Sequence, residues 1–304
     1  MLNLSLCCIS NDLANRGIKF QTMTYKRFSF LSPTQALETL SERILNNFRV
    51  THQTIKHCVS MGIRGYRLSS DITPLINHPD VRLTLDKLPH FDAILDEISA
   101  TSQTIKTTGI RISAHPSEYI SLTSEDPRVI NNSIIDLENH ALIFDLLDLP
   151  IDYRSPLNIH CRKDADPEVI SSRFMSNFAR LSKGVRNRLV LENNDNAKGV
   201  WSIKRLYNIF HLRHGIPVTF DILHHRMLSG GLQEQEAFEL AYSTWNTTPL
   251  FHYSEGIDGT RKHADYAVEL PNSYGKDVYW DCELKQKDFA IENIIKRAAI
   301  LIPS

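Results

Sequence analysis

The placement of its histidines and carboxylates constrains this chain more than any other feature, because they end short apolar runs. In order, the runs are RISAH (His115), LNIH (His160), RLVLE (Glu192), VTFDILH (Asp221 and His224), LFH (His252) and VYWDCE (Glu283). A single such residue at a strand tip is an accident. Six successive runs ending this way call for a fold in which strand tips converge, and a closed parallel barrel supplies one. Imidazoles and carboxylates gathered in one mouth point to a multinuclear metal site and hydrolytic chemistry.

Eight runs in all are too short for helices and rich in Val, Ile, Leu or aromatics: Leu2–Ile9, Gly65–Ser69, Ile110–His115, Leu157–Cys161, Arg188–Glu192, Val218–Ile222, Leu250–Ser254 and Val278–Glu283. Helical patterns lie between them: Thr34–Phe48, Thr51–Met61, Phe91–Thr107, Asn132–Leu147, Pro167–Lys183, Trp201–His214, Leu232–Thr244 and Phe289–Ile300. Gly184 and Gly215 follow two of these, as helix ends prefer. The alternation predicts a (β/α)8 TIM barrel forming a single domain over residues 1–304. An open doubly wound sheet is disfavoured, since only closure would bring the strand-end residues together. Between Ser254 and Asp277 no amphipathic helix is visible, and Asn11–Pro33 reads as a long loop.

A net charge of −1 announces no global basic field, so nucleic acid would have to be held by a local rim. The five cysteines are odd in number and lack a CxxC pair, which reads as reduced thiols of a cytoplasmic protein. No signal peptide or membrane-length apolar run is seen, so no membrane partner is expected, and a monomer is.

Glu192, Asp221 and Glu283 would repel strongly in one desolvated mouth. Cations must neutralise them, and carboxylates mixed with imidazoles suit Zn²⁺, Mn²⁺ or Fe²⁺. His115, His160, His252 and His263 supply further nitrogens, and His78 is balanced between metal ligand and turn residue. A lone histidine is more often structural, which is the reading for His52, His57, His90, His211 and His214. His140 lies mid-helix, and His225, beside His224, should point elsewhere. Lys26, Arg27, Arg67, Arg162, Lys163, Arg226, Arg261, Lys262, Lys285 and Lys287 follow strand ends or sit in the first loop, where they could line a phosphate-binding rim. Tyr25, Phe28 and Tyr119 are candidate wedges in a distorted base stack.

These residues fall in motifs that resemble the UV damage endonucleases, relatives of endonuclease IV in the xylose-isomerase-like TIM-barrel group. The motifs are YRLSSDITPL from Tyr66, SAHPSEYISL around His115, NSIIDLENHA around His140, NIH at His160, LEN at Glu192, FDILHH at Asp221, FHYSE at His252, KHADY at His263 and ELKQKD at Glu283. They keep family order over most of the chain. The resemblance implies a metal-dependent endonuclease that nicks duplex DNA immediately 5′ of a UV photoproduct, leaving a 3′-hydroxyl and a 5′-phosphate. It implies two or three divalent metals per chain, manganese foremost with zinc or iron as alternatives. It carries over His115, His160, Glu192, Asp221, His224, His252, His263 and Glu283 as ligands, with His78 a ninth. Asp281 competes with Glu283 on the same side of its strand, and the following K-x-K-D favours Glu283. Glu192, His252 and Glu283 are taken as the catalytic groups, Glu192 bridging two metals and orienting the attacking water.

The chain departs from the family in three places. Leu250 replaces a lysine two residues before His252. Glu118-Tyr119 replaces a damage-probing Gln-Tyr pair. The tyrosine of the first strand is missing from LCCISND, where Asn11 keeps the asparagine role. Asn11, Glu118 and Tyr119 therefore join the DNA-binding candidates. The competing readings are an apurinic-site endonuclease, a metal-dependent sugar isomerase or epimerase, and a DNA-binding module with a dead site.

Overall fold

The computed structural model describes residues 2–117, 119–161, 166–195 and 200–301. Eight strands form one sheet: β1 (Asn3–Cys7), β2 (Gly65–Leu68), β3 (Arg111–Ala114), β4 (Leu157–His160), β5 (Leu189–Glu192), β6 (Val218–Thr219), β7 (Leu250–Tyr253) and β8 (Tyr279–Cys282). Each falls within one of the apolar runs. Neighbours follow the order β6-β5-β4-β3-β2-β1-β8-β7, every pair parallel. The two ends meet, since Asp221 forms a parallel bridge with His252 and the His252 amide donates to the Phe220 carbonyl at 2.9 Å. The sheet is thus a closed (β/α)8 barrel.

Strand side chains alternate between faces. Phe220, Phe251 and Trp280 point outward, where Phe238 of the helix Glu234–Tyr242 packs on them with ring centroids 5.9, 5.3 and 6.1 Å away. Their neighbours Asp221, His252 and Asp281 therefore face the barrel interior, and all three are fully buried. Register sets their heights: His160 lies opposite Glu192, and His252 opposite Asp281. The outward-facing aromatics anchor the strands while the alternate positions deliver polar groups to the mouth.

The helices differ from expectation in four places. Thr34–Phe48 and Thr51–Met61 are one helix, Pro33–Ser60, opened by Ser32 as cap with a proline in its first turn. No breaker separates them, and the buried stripe of Leu40, Ile44, Phe48, Ile55 and Cys58 stays in phase. The Thr51 and Thr54 hydroxyls donate to the Asn47 and Val50 carbonyls at 2.9 and 2.8 Å, so they do not compete with the helix. Pro167–Lys183 stops at Phe178, and Gly184 lies inside a separate turn, Lys183–Arg186. Ser182 starts that turn by accepting from the Val185 amide at 3.2 Å. Trp201–His214 begins at Ile203 and widens into a π turn over Tyr207–His211 before Gly215 ends it at φ 69°. The first loop carries two short helices, Asn11–Asn15 and Tyr25–Phe30, capped by the hydroxyls of Ser10 and Thr24. Between β7 and β8 there is a single 3-10 turn, Ile257–Gly259. No helix of the described residues is long and apolar enough to cross a membrane.

Candidate metal centre

Glu192, at the tip of β5, is the hub of the mouth. Its carboxylate lies 3.1 Å from His115 Nε2, 3.6 Å from His160 Nε2, 3.0 Å from His224 Nδ1 and 3.1 Å from His252 Nδ1. Asn158, two residues before His160 on β4, donates to its Oε2. His252 Nδ1 also lies 3.5 Å from Glu283 Oε1 and 3.9 Å from Asp221 Oδ2. Three groups with metal-ligand spacing result: His115 with Glu192 and His252, His160 with Glu192 and His224, and Asp221 with His252 and Glu283. Glu192 and His252 each belong to two of them, so the Glu192 carboxylate could bridge neighbouring cations while His252 serves one.

Local chain geometry explains how the ligands are aimed. Asp221 caps the short helix Ile222–Met227, its Oδ1 accepting from the His224 amide at 2.7 Å. The cap leaves Oδ2 for the mouth and puts His224 on the first turn, which is the physical content of D-x-x-H. Asn193 locks this corner, accepting from the Asp221 amide at 2.8 Å and donating to its carbonyl at 3.1 Å. Three histidines donate Nδ1–H to backbone carbonyls: His115 to Pro116 at 3.0 Å, His224 to Asn193 at 2.9 Å and His263 to Glu283 at 2.5 Å. A carbonyl only accepts, so His115 and His263 keep the Nε2 lone pair for a cation, whereas His224 has Nδ1 against both the Asn193 carbonyl and, at 3.0 Å, Glu192 Oε1.

Electrostatics are strained without divalent ions. Burial would raise Glu192, but the imidazoles of His160 and His252 and the hydrogen bonds of His115 and His224 hold it well below the usual carboxylate range. Burial would lower His252, but Glu192 and Glu283 push it up to about 9. His224 is likewise raised, Asp221 and Glu192 outweighing burial. Burial raises Asp221. Crowding by protein pushes His160 down to about 4, although its outer edge stays accessible. Protons on His224 and His252 thus stand where metal charge would stand.

The donor set fits a divalent cation. His252 Nδ1 and Asp221 Oδ2, 3.9 Å apart and both facing the cluster, are buried without a hydrogen-bond partner. Buried polar atoms are almost always paired, and lone pairs converging on shared space are what a cation satisfies. Nitrogen and carboxylate donors without thiolates suit borderline and harder divalent ions.

The family model described as UV-endonuclease UvdE matches residues 2–301. The chain belongs to that family. A UV DNA damage endonuclease of Nostoc sp. is 32% identical over 302 residues, covering 96% of this chain and 88% of the relative. Another, of Bacillus pumilus, is 29% identical, covering 92% and 89%. The crystal structure of SacUVDE matches with a TM-score of 0.82 at 26% identity over 99% of each chain. A 3-keto-D-glucoside 4-epimerase of E. coli, with a TM-score of 0.55 at 8% identity, shares the fold alone.

Other candidates of this UvdE family member are placed less uniformly. His263 Nε2 lies 3.8 Å from Glu283 Oε2, at the edge of the cluster. His78 is in none of the three groups. It stacks on Tyr25 at 4.5 Å and accepts from the Asp80 amide at 3.3 Å. Arg67 is not on the rim: it is buried, 2.5 Å from Glu283 Oε1 and 3.7 Å from Asp281 Oδ2. It follows strand parity into the barrel and neutralises acids there. Arg226 is turned to Glu234 and Glu269 at 3.0 and 3.2 Å. Lys26, Arg27, Lys262, Lys285 and Tyr119 are exposed. Asn11 donates to the Lys285 carbonyl at 3.3 Å, which joins two DNA-binding candidates. Glu118, Arg162 and Lys163 lie outside the described residues. Reading the sequence missed Asn158, Asn193 and the inward role of Arg67. Asn158 lies on the face of β4 that carries His160, and that parity was the available signal.

Proposed function

We propose that this chain hydrolyses the phosphodiester 5′ to UV photoproducts in duplex DNA, using two or three divalent metal ions, manganese foremost. The observation that carries the proposal is one buried carboxylate, Glu192, shared by four imidazoles within two overlapping ligand groups. The family match adds the substrate class, since the relatives bear the name UV DNA damage endonuclease. His115, His160, Glu192, Asp221, His224, His252, His263 and Glu283 would hold the ions, with His78, outside the three groups, a ninth candidate. Bound metal would supply charge to the scissile phosphate and a readily deprotonated water.

The chain's own residues do the rest. Glu192 and Glu283 accept protons and orient water at the mouth, and His252, between both acids, offers its Nδ1 lone pair to a cation. Arg67 holds Glu283 in place from below. Lys26, Arg27, Lys262 and Lys285 grip phosphates, while Asn11 and Tyr119 meet the distorted stack. We read residues 1–304 as one intracellular, monomeric domain, since β1 and β8, near opposite ends of the chain, are paired.

The test is a nicking assay on duplexes carrying one photodimer, one abasic site or no lesion, run beside elemental analysis of the protein. A 5′ nick at the photodimer is expected, and Glu192→Ala should abolish it and lower bound metal. Full activity in Glu192→Ala, or a preference for the abasic duplex, would overturn the reading. An inactive protein that still bound photodimer duplex under added Mn²⁺ would instead be a binding module.

A further inference from the structure

His252 is oriented differently from His115 and His263, whose Nε2 faces the carboxylates. His115, His224 and His263 each have Nδ1 tied to a carbonyl. His252 has no such tie, and its Nδ1 is the nitrogen that faces Glu192, Asp221 and Glu283. On the opposite edge its Nε2 faces Asp281 Oδ2 at 3.9 Å, across the β7–β8 register that pairs these two residues. Both side chains are fully buried, and His252 Nε2 and Asp281 Oδ1 lack hydrogen-bond partners. Asp281 is itself placed from two sides: Ser113 of β3 lies with its hydroxyl 3.3 Å away, and Arg67 of β2 with its guanidinium at 3.7 Å.

Resting on the metal-dependent reading above, we propose that Asp281 is the positioning residue for His252. Its carboxylate, 3.9 Å away, favours the proton on Nε2 by its charge and so leaves the Nδ1 lone pair for one cation. It takes the part that main-chain carbonyls play for His115 and His263, with opposite polarity of the two nitrogens. A carboxylate behind a ligand imidazole fixes its tautomer and raises its basicity. Asp281 is fully buried beside His252, so it acts through that ring without touching substrate. A buried acid in a barrel interior is costly, and this role accounts for its presence.

The test compares wild type with Asp281→Asn, which keeps side-chain size, after loading with Mn²⁺ or Zn²⁺. Retained metal is measured by elemental analysis against rising chelator. In Asp281→Asn one metal equivalent should be lost at about 10- to 100-fold lower chelator, with the remaining equivalents unchanged. In the Zn²⁺-loaded protein, proton–nitrogen correlation spectra should show the His252 Nε2–H resonance of wild type moving upfield in Asp281→Asn. A general packing defect would not single out that resonance. If Asp281→Asn fails to fold, Ser113→Ala reads the same coupling, with a smaller loss confined to one equivalent. An unchanged chelator profile and an unmoved resonance, or equal loss of all equivalents, would overturn the inference. Wild type that binds no metal would overturn the function proposed above as well, which separates the two failures.

Discussion

His252 makes the stability of the metal-stripped protein depend on pH in a direction fixed by its surroundings. Burial would lower this imidazole, but Glu192 and Glu283 raise it from 6.5 to about 9. A shift of that size corresponds to about 3 kcal/mol favouring the protonated folded state. The folded value lies above the unfolded one. The contribution is therefore fully present below about pH 6.5 and is lost as pH rises through about 9. Between pH 6.5 and 8.5 about 2 kcal/mol should disappear. His224, raised by Asp221 and Glu192 over the opposing effect of burial, acts in the same sense. His160, lowered by burial to about 4, acts oppositely, its stability being lost as pH falls from 6.5 through that value. The buried thiols Cys58, Cys161 and Cys282 are pushed up by burial and matter only once unfolded thiols ionise, near 9. Urea unfolding of chelator-treated wild type and Glu192→Gln at pH 6.5, 7.5 and 8.5 isolates the effect. Wild type should lose about 2 kcal/mol across the window and Glu192→Gln clearly less, because the strongest raising charge is gone. Equal slopes, or wild-type stability that rises with pH, would refute the electrostatic account of the mouth.

Arg67→Met should destabilise the metal-free protein by about 3–5 kcal/mol, since it strands Glu283 and Asp281 in the barrel. Thermal unfolding checks this, and a cost below about 1 kcal/mol would restore Arg67 to the rim. Lys262→Ala with Lys285→Ala should shift stability by less than about 0.5 kcal/mol and flatten the salt dependence of DNA binding by about two units of slope; an unchanged slope would remove both from the interface. Leu250→Lys should keep metal content and maintain or raise nicking, whereas a collapse in bound metal on elemental analysis would show that the site is built around the leucine.

The barrel and most of the cluster were legible because strand parity is a local property. Phe220 and Asp221, Phe251 and His252, and Trp280 and Asp281 each write an outward aromatic beside an inward polar group. The same rule places Arg67 inside: Gly65, two residues earlier, leaves its Cβ position to the Ser5 side chain across the barrel wall, so Arg67 shares that inward face. A charged residue near a strand end was read as rim because its partners, Glu283 and Asp281, lie more than two hundred positions away in sequence. Closure was legible, because only a closed barrel gathers the strand-end ligands, and Asp221 meets His252 where it closes. The Tyr25–His78 stack depends on how the first loop folds back, and no periodicity encodes it. Thr34–Phe48 and Thr51–Met61 read as two helices, and the structure joins them in Pro33–Ser60. In the fold Asn47 is buried, and its amide donates to the Gln21 and Asp71 carbonyls at 2.9 and 3.0 Å. Tertiary use overrode local propensity there.

A chain of net charge −1 that acts on a polyanion appears contradictory until charge is located. The interior of the mouth holds four buried or nearly buried carboxylates, Glu192, Asp221, Asp281 and Glu283, against one guanidinium, Arg67. With imidazoles neutral this region carries −3, repulsive to any phosphate. Two divalent ions would bring it to +1 and three to +3, in a desolvated space where charge is weakly screened. The lysines and Arg27 at the surface act through water and within about a Debye length of 8–10 Å. They can hold flanking phosphates but cannot reverse the interior. The sign of the field at the scissile bond would therefore be set by bound metal ions, and whole-chain charge says little about whether a fold of this kind handles DNA.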